Sequence, residues 1–208
     1  MQSAHQARVI GLCAVWTLHA LAAPGAGHCM QVGRRFAVAM IVADSKFRDE
    51  ELLQPLRLFN DTGCRVTIVS STTNEVTGML GARVRPQTLL TDVDVKQYDA
   101  IIFVGGTGAQ AYWDDARCHA IARAAMCQGK VLGAICIAPV ILARAGVLAG
   151  KRATVFSSVK QELAARKIVV ENDAVVTDGT VVTADGPDSA VAFGHAILAA
   201  LRAQASQR

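Results

Sequence analysis

The stretch Val131-Leu132-Gly133-Ala134-Ile135-Cys136-Ile137-Ala138-Pro139 decides the fold. Its first five residues are an apolar run that reads as buried strand, and residues 139–145 carry a helix-like pattern just beyond Cys136. A parallel strand must turn sharply to enter its crossover helix. A side chain at that turn stands above the sheet edge, facing unpaired helix N–H groups and the positive end of the helix dipole. For a cysteine both favour the thiolate, which is the nucleophile. The same residue also reads as a buried core thiol, because free cysteine is among the most buried residue types.

Strand and helix patterns alternate on both sides of this stretch. Residues 36–43 form an apolar run of strand character. Residues 49–62 follow with Leu52, Leu53, Leu56 and Phe59 at helical spacing, and Gly63 ends the helix. Residues 65–70 and 98–104 are further strands, the second closed by Gly105-Gly106. Residues 71–94 are irregular, with room for a small hairpin. Asp114 or Asp115 caps a helix running to about Gln128, and Gly129 stops it. Residues 152–156 read as a short strand and 162–167 as helix. Asp178-Gly179 between two alternating runs is a strong hairpin signal. Gly186-Pro187-Asp188-Ser189 opens a last helix reaching about Ala203. Such alternation predicts a parallel sheet with helices on both faces. In open sheets of this kind ligands bind beyond the carboxyl ends of the strands. The Asp44–Glu51 turn, Gly105-Gly106, Cys136 and Asp185-Gly186-Pro187 all fall at such ends.

Composition narrows the function. The chain has 208 residues, 52% hydrophobic and 18% charged, which suits one sizeable core. A net charge of +4 on scattered Lys and Arg, with no basic run, argues against nucleic-acid binding. The longest apolar segment, residues 9–23, is short for a membrane span and contains His19. With Arg8 before it and Ala20-Leu21-Ala22 at its end it resembles a secretory signal peptide. A start at Met30 is the competing reading. The expected organisation is an extension over 1–33, an α/β domain over 34–203 and a tail over 204–208. The six cysteines form no C-x-x-C pair, and none has the spacing of a zinc site. Cleavage after Ala22 would leave five of them, so one thiol stays unpaired in any monomer. A reduced, cytoplasmic setting is the simpler fit, with export the alternative if residues 1–22 are a signal. No cofactor and no metal are expected.

Four motifs, in order, resemble the PfpI family, in the superfamily of the parkinsonism-associated deglycase and with a class I glutamine amidotransferase-like fold. Asp49-Glu50-Glu51-Leu52-Leu53-Gln54-Pro55 is similar to that family's first-helix motif, a Glu four residues before a Pro. Phe103-Val104-Gly105-Gly106 resembles its glycine pair, Ala134-Ile135-Cys136-Ile137-Ala138-Pro139 its cysteine elbow, and Ala184-Asp185-Gly186-Pro187 the turn into its last helix. The resemblance covers about residues 36–201. It implies a flavodoxin-like three-layer sandwich with a mainly parallel sheet, a reactive Cys136, and Glu51 as the protonated acid beside it. Without the motif, Asp49, Glu50 and Glu51 all fit the first turn of a helix equally well. Gly105 and Gly106 read either as a tight strand-end turn or as backbone that approaches a ligand, with the Ile137 N–H completing an oxyanion hole. Gly186 and Pro187 are expected at the pocket wall, although Pro187 also suits a helix start.

The chain departs from the family pattern at two positions. Ile137 follows the cysteine where protease-like members carry His, and Phe156 stands where the deglycase carries one. His119 and His195 offer no evident substitute. Peptide hydrolysis needs a proton donor for the amine leaving group, so an amidase or cysteine peptidase is the lowest-ranked expectation. The leading one is a glyoxalase- or deglycase-like, stress-protective enzyme acting on small reactive carbonyls through Cys136 and Glu51. The alternative is a non-enzymatic redox-sensing thiol or chaperone-like protein. A homodimer or larger homo-oligomer is expected in either case.

Overall fold

The computed structural model describes residues 35–207. The expected extension and the signal-peptide reading lie outside the described residues.

The described strands are β1 (Ala37–Ile41), β2 (Arg65–Ser70), β3 (Val76–Thr77), β4 (Arg83–Val84), β5 (Thr88–Leu89), β6 (Ala100–Phe103), β7 (Val131–Ile135), β8 (Arg152–Ala153), β9 (Val169–Val170), β10 (Val175–Asp178) and β11 (Val181–Ala184). The helices are α1 (Asp49–Asp61), α2 (Ala116–Cys127), α3 (Pro139–Arg144), α4 (Lys160–Ala164) and α5 (Ala190–Ser206). Seven strands form the main sheet in the order β10-β11-β7-β6-β1-β2-β5. All neighbours are parallel except β10 with β11. Leaving aside the two outer strands, the order is the flavodoxin-like 2-1-3-4-5 arrangement.

The sheet is buried on both faces because its central strands alternate between two cores. Ala37, Ala39 and Ile41 of β1 enter one core, with Ile121 and Ala122 of α2 and Ile141 and Leu142 of α3. Val38 and Met40 enter the other, with Leu52 and Phe59 of α1 and Phe193, Ile197 and Leu201 of α5. This is the expected three-layer sandwich. Helices α1 and α5 approach closely at Gly194, where a Cβ would stand 3.0 Å from Leu58 and 3.4 Å from the Pro55 backbone.

The irregular segment after β2 does hold a hairpin, β3 with β4, and it also supplies β5 to the sheet edge. The strand expected over 152–156 shortens to β8, which pairs with β9 in a separate small sheet. Gly179 makes the turn of the β10–β11 hairpin at φ 63°. Asp115, not Asp114, caps α2, accepting from the N–H groups of Arg117 at 2.8 Å and Cys118 at 3.2 Å. Helix α5 continues through Ser206, into the segment expected as a tail. Among the described residues no helix is long and apolar enough to cross a membrane.

Candidate active site

Three chain segments meet beyond the carboxyl ends of β1, β6 and β7. The elbow comes from β7. Cys136 adopts φ 63°, a left-handed angle that non-glycine residues avoid at a cost of about 1–3 kcal/mol. Its neighbours hold it there. The Cys136 N–H donates to the Ala184 carbonyl of β11 at 2.9 Å, and its own carbonyl accepts from the Phe156 N–H at 2.9 Å. The Trp113 indole N–H donates to the Ile137 carbonyl at 3.2 Å and braces the next residue. The backbone N–H groups of Gly106 and Ile137 face the Cys136 sulfur and favour its negative charge.

The acid comes from α1. Its residues Glu51, Leu52, Pro55 and Phe59 share one buried helical stripe, which carries Glu51 inward. Pro55 has no N–H to donate to the Glu51 carbonyl four residues back, which loosens the helix at that turn. The two neighbouring acids are engaged elsewhere. Asp49 accepts from the N–H groups of Leu80 at 2.8 Å and Ala82 at 2.7 Å, fastening the β3–β4 loop to the helix start. Glu50 forms an ion pair with Arg48 at 2.9 Å. Glu51 is fully buried, and its Oε2 accepts from the Gly105 N–H at 3.1 Å.

The glycine pair comes from β6, and its first member has no room for a side chain. A Cβ on Gly105 would stand 2.5 Å from Glu51 Oε2, 2.6 Å from the Cys136 Cβ and 2.7 Å from the Ile135 carbonyl oxygen. One point thus touches both the acid and the elbow. Gly106, at φ 95°, lies against the backbone of Arg48, Lys46 and Phe47.

Glu51 and Cys136 face one another as hydrogen-bonding groups. Glu51 Oε1 nevertheless has no partner of full hydrogen-bond geometry among the described residues. Since Oε2 is taken by an N–H donor, a proton on this carboxyl belongs on Oε1. Burial raises the Glu51 pKa to about 7, against the opposing effects of the Cys136 and Gly105 contacts and the Arg48 charge. Burial also pushes the Cys136 thiol up to about 12, helped by the Glu51 charge and opposed by the Gly106 and Ile137 N–H groups. The elbow's N–H donors and helix dipole favour the thiolate. Desolvation outweighs those donors and favours the protonated thiol. Cys127 is the exposed thiol among the described residues.

A cavity of about 360 Å³ opens onto this pair. Gly106, Ile137 and Pro187 line it with Glu51 and Cys136. Gly186 lies one layer back, against the Phe156 ring and in a neighbouring cavity. Sequence reasoning missed Arg48, Thr107 and Gln110 in the lining. The first precedes the acidic motif and the others follow the glycine pair, so adjacency to a motif was the available signal. Met79, Ser158 and Val159 also line the cavity from loops that carry no sequence signal. His119 bonds to the Trp113 carbonyl at 2.7 Å and His195 is exposed on α5, so neither of these histidines reaches the thiol. Among the described residues no group of three His, Cys, Asp or Glu side chains could hold a metal.

A strained cysteine after β7, an acid after β1 and a glycine pair after β6 define a class of α/β protein with a nucleophile elbow. The chain belongs to the DJ-1/PfpI family, whose model matches residues 37–200. It is 40% identical to an uncharacterised protein of Methanocaldococcus jannaschii over 79% of this chain and 82% of that one. A protein of Pyrococcus horikoshii named as a deglycase is 28% identical over 71% of this chain and 89% of its own. The crystal structure of a ThiJ/PfpI domain protein from Brachyspira murdochii superposes with a TM-score of 0.80 at 27% identity, covering 82% of this chain and 99% of that one.

Proposed function

We propose that this protein is a cysteine-dependent enzyme acting on small reactive carbonyls, with Cys136 as nucleophile and Glu51 as the proton carrier. The observation that supports it most is the buried pair itself, a thiol at φ 63° beside a carboxyl with a pKa near 7. A general acid–base works best when its pKa lies near the working pH, and burial brings Glu51 there. The likeness to a protein named as a deglycase points the same way.

The chemistry for a 2-oxoaldehyde such as methylglyoxal balances without a cofactor. The ionised Glu51 takes the thiol proton as sulfur bonds to the aldehyde carbon and the carbonyl electron pair moves to oxygen. The Gly106 and Ile137 N–H groups stabilise the oxyanion. Glu51 returns its proton to that oxygen, giving a hemithioacetal. It then removes the proton from the former aldehyde carbon, and an enediolate forms. Glu51 delivers that proton to the adjacent carbon while the hydroxyl proton passes to the oxygen there, giving a thioester, and water cleaves it to lactate and free thiol. Gly105 orients Glu51 through its N–H. Pro187 walls the pocket, and Gly186 backs that wall.

Lactate formation from methylglyoxal tests the reading. Cys136→Ala should abolish it. Glu51→Leu should lower kcat/KM by about 100-fold or more, the usual loss for a general acid–base. In the native chain kcat/KM should rise through about pH 7 as Glu51 ionises. No lactate above the Cys136→Ala background would refute it.

A second reading has support from the N–H groups directed at sulfur. They would equally hold a sulfinate, with protonated Glu51 donating to one of its oxygens. In that case peroxide would convert Cys136 to sulfinate, and no turnover would be found. Hydrolysis of amides or peptides remains the weakest reading, since it needs a donor for the leaving amine. For either leading reading we place the protein in a homo-oligomer.

A further inference from the structure

Phe156 stands between two cavities. One is the thiol cavity of about 360 Å³; the other, about 530 Å³, is lined by Ser157, Lys160, Asn172, Asp185, Gly186 and Asp188. Phe156 and Pro187 line both. The two differ in chemistry. Around the thiol, Met79, Ile137, Val159 and the Phe156 ring give apolar walls beside the polar Arg48, Thr107 and Gln110. Behind the ring, Lys160 Nζ donates to Asn172 Oδ1 at 2.8 Å, and Ser189 Oγ donates to Asp185 Oδ1 at 2.6 Å.

The ring is held at its base and along one edge. The Phe156 N–H donates to the Cys136 carbonyl at 2.9 Å, and its carbonyl accepts from the Val159 N–H at 3.0 Å. This ties the residue to the elbow. Gly186 lets the ring lie against the chain, because a Cβ there would stand 3.2 Å from Cδ2 and 3.6 Å from Cε2. The residue is nevertheless 39% exposed. A large apolar side chain this exposed is not core packing. It lies where a partition between the two cavities would stand.

We propose that Phe156 is the specificity-determining residue of this site: its ring closes the thiol cavity around small dicarbonyls and shuts off the polar cavity behind it. The substrate part of this inference rests on the carbonyl-enzyme reading. The geometric part does not, because the ring limits any molecule that approaches the sulfur. With the ring removed the two cavities join. An aldehyde with a bulky or polar remainder could then lie across position 156 and still present its carbonyl to Cys136.

The test compares native protein with Phe156→Ala and Phe156→Leu by two measurements. The first is alkylation of Cys136 by iodoacetamide and by N-benzyliodoacetamide, followed on the Cys136 peptide by mass spectrometry. The second is kcat/KM for methylglyoxal and phenylglyoxal. Phe156→Ala should raise the bulky-to-small rate ratio about tenfold in both, the scale on which pocket size discriminates substrates. Phe156→Leu should give a smaller rise in the same direction. An unchanged alkylation ratio in both variants, with native-like circular dichroism in at least Phe156→Leu, overturns the partition. A shifted alkylation ratio with no turnover of either dicarbonyl supports the partition and refutes the carbonyl-enzyme reading instead.

Discussion

At the scale of single residues, Glu51 is the position where burial and charge conflict. It sits in the first turn of α1, where the helix dipole favours an ionised acid, yet it has no exposure to solvent. Desolvation wins and raises its pKa from 4.5 to about 7. Between those values the folded chain binds a proton that the unfolded chain has released. Stability therefore falls as pH rises from 4.5 to 7 and levels off above it. The loss is roughly 3 kcal/mol at 1.36 kcal/mol per pKa step. Glu51→Leu has no such proton. Urea unfolding from pH 4 to 8 should show the native chain losing about that much stability relative to Glu51→Leu. A constant difference across the range would mean that folding leaves the Glu51 pKa unshifted.

At the scale of elements, the site depends on how closely the end of β6 passes α1 and the β7 elbow. Gly105 is the contact point, with the acid and the thiol carbon on either side of its missing side chain. The Arg48 N–H also donates to the Gly105 carbonyl at 3.1 Å, so the same residue fastens the start of α1. Gly105→Ala should cost about 1–3 kcal/mol by overpacking and displace the Glu51 carboxyl. Chemical denaturation would read the first effect. The second should appear as a loss of the pH dependence assigned to Glu51, which a purely global destabilisation would leave in place.

At the scale of the whole molecule, both cores are built from residues between Ala37 and Leu201, and the family match spans nearly the same range. Among the described residues the buried core begins at Ala37, and Phe36 packs against it from the chain's N-terminal side. A chain beginning at Arg34 should therefore fold with a melting temperature within about 3 °C of the full chain, a difference of under roughly 1 kcal/mol. A larger drop on calorimetry would show that the first thirty-three residues stabilise the domain.

The chain order of strands and helices was legible from local patterns, because apolar period and turn residues are local properties. The buried strand ahead of Cys136, the Asp178-Gly179 hairpin and the glycine stops at Gly63 and Gly129 all stand where the sequence points. Local pattern failed where pairing was remote. Strand β5 has two residues and exists only because β2 offers it an edge, and β8 is short because it pairs outside the main sheet. The same division holds at the site. Cys136 was marked by its place between strand and helix, and Glu51 only by a motif, since three adjacent acids share one first turn. The fold separates them by partner: Asp49 to the β3–β4 loop, Glu50 to Arg48, and Glu51 to Gly105 and the thiol. The protonation of the pair could not be read from sequence, because local donors favour the thiolate while desolvation is a sum over everything packed around it. That sum belongs to the tertiary structure, and it holds the Cys136 proton in place.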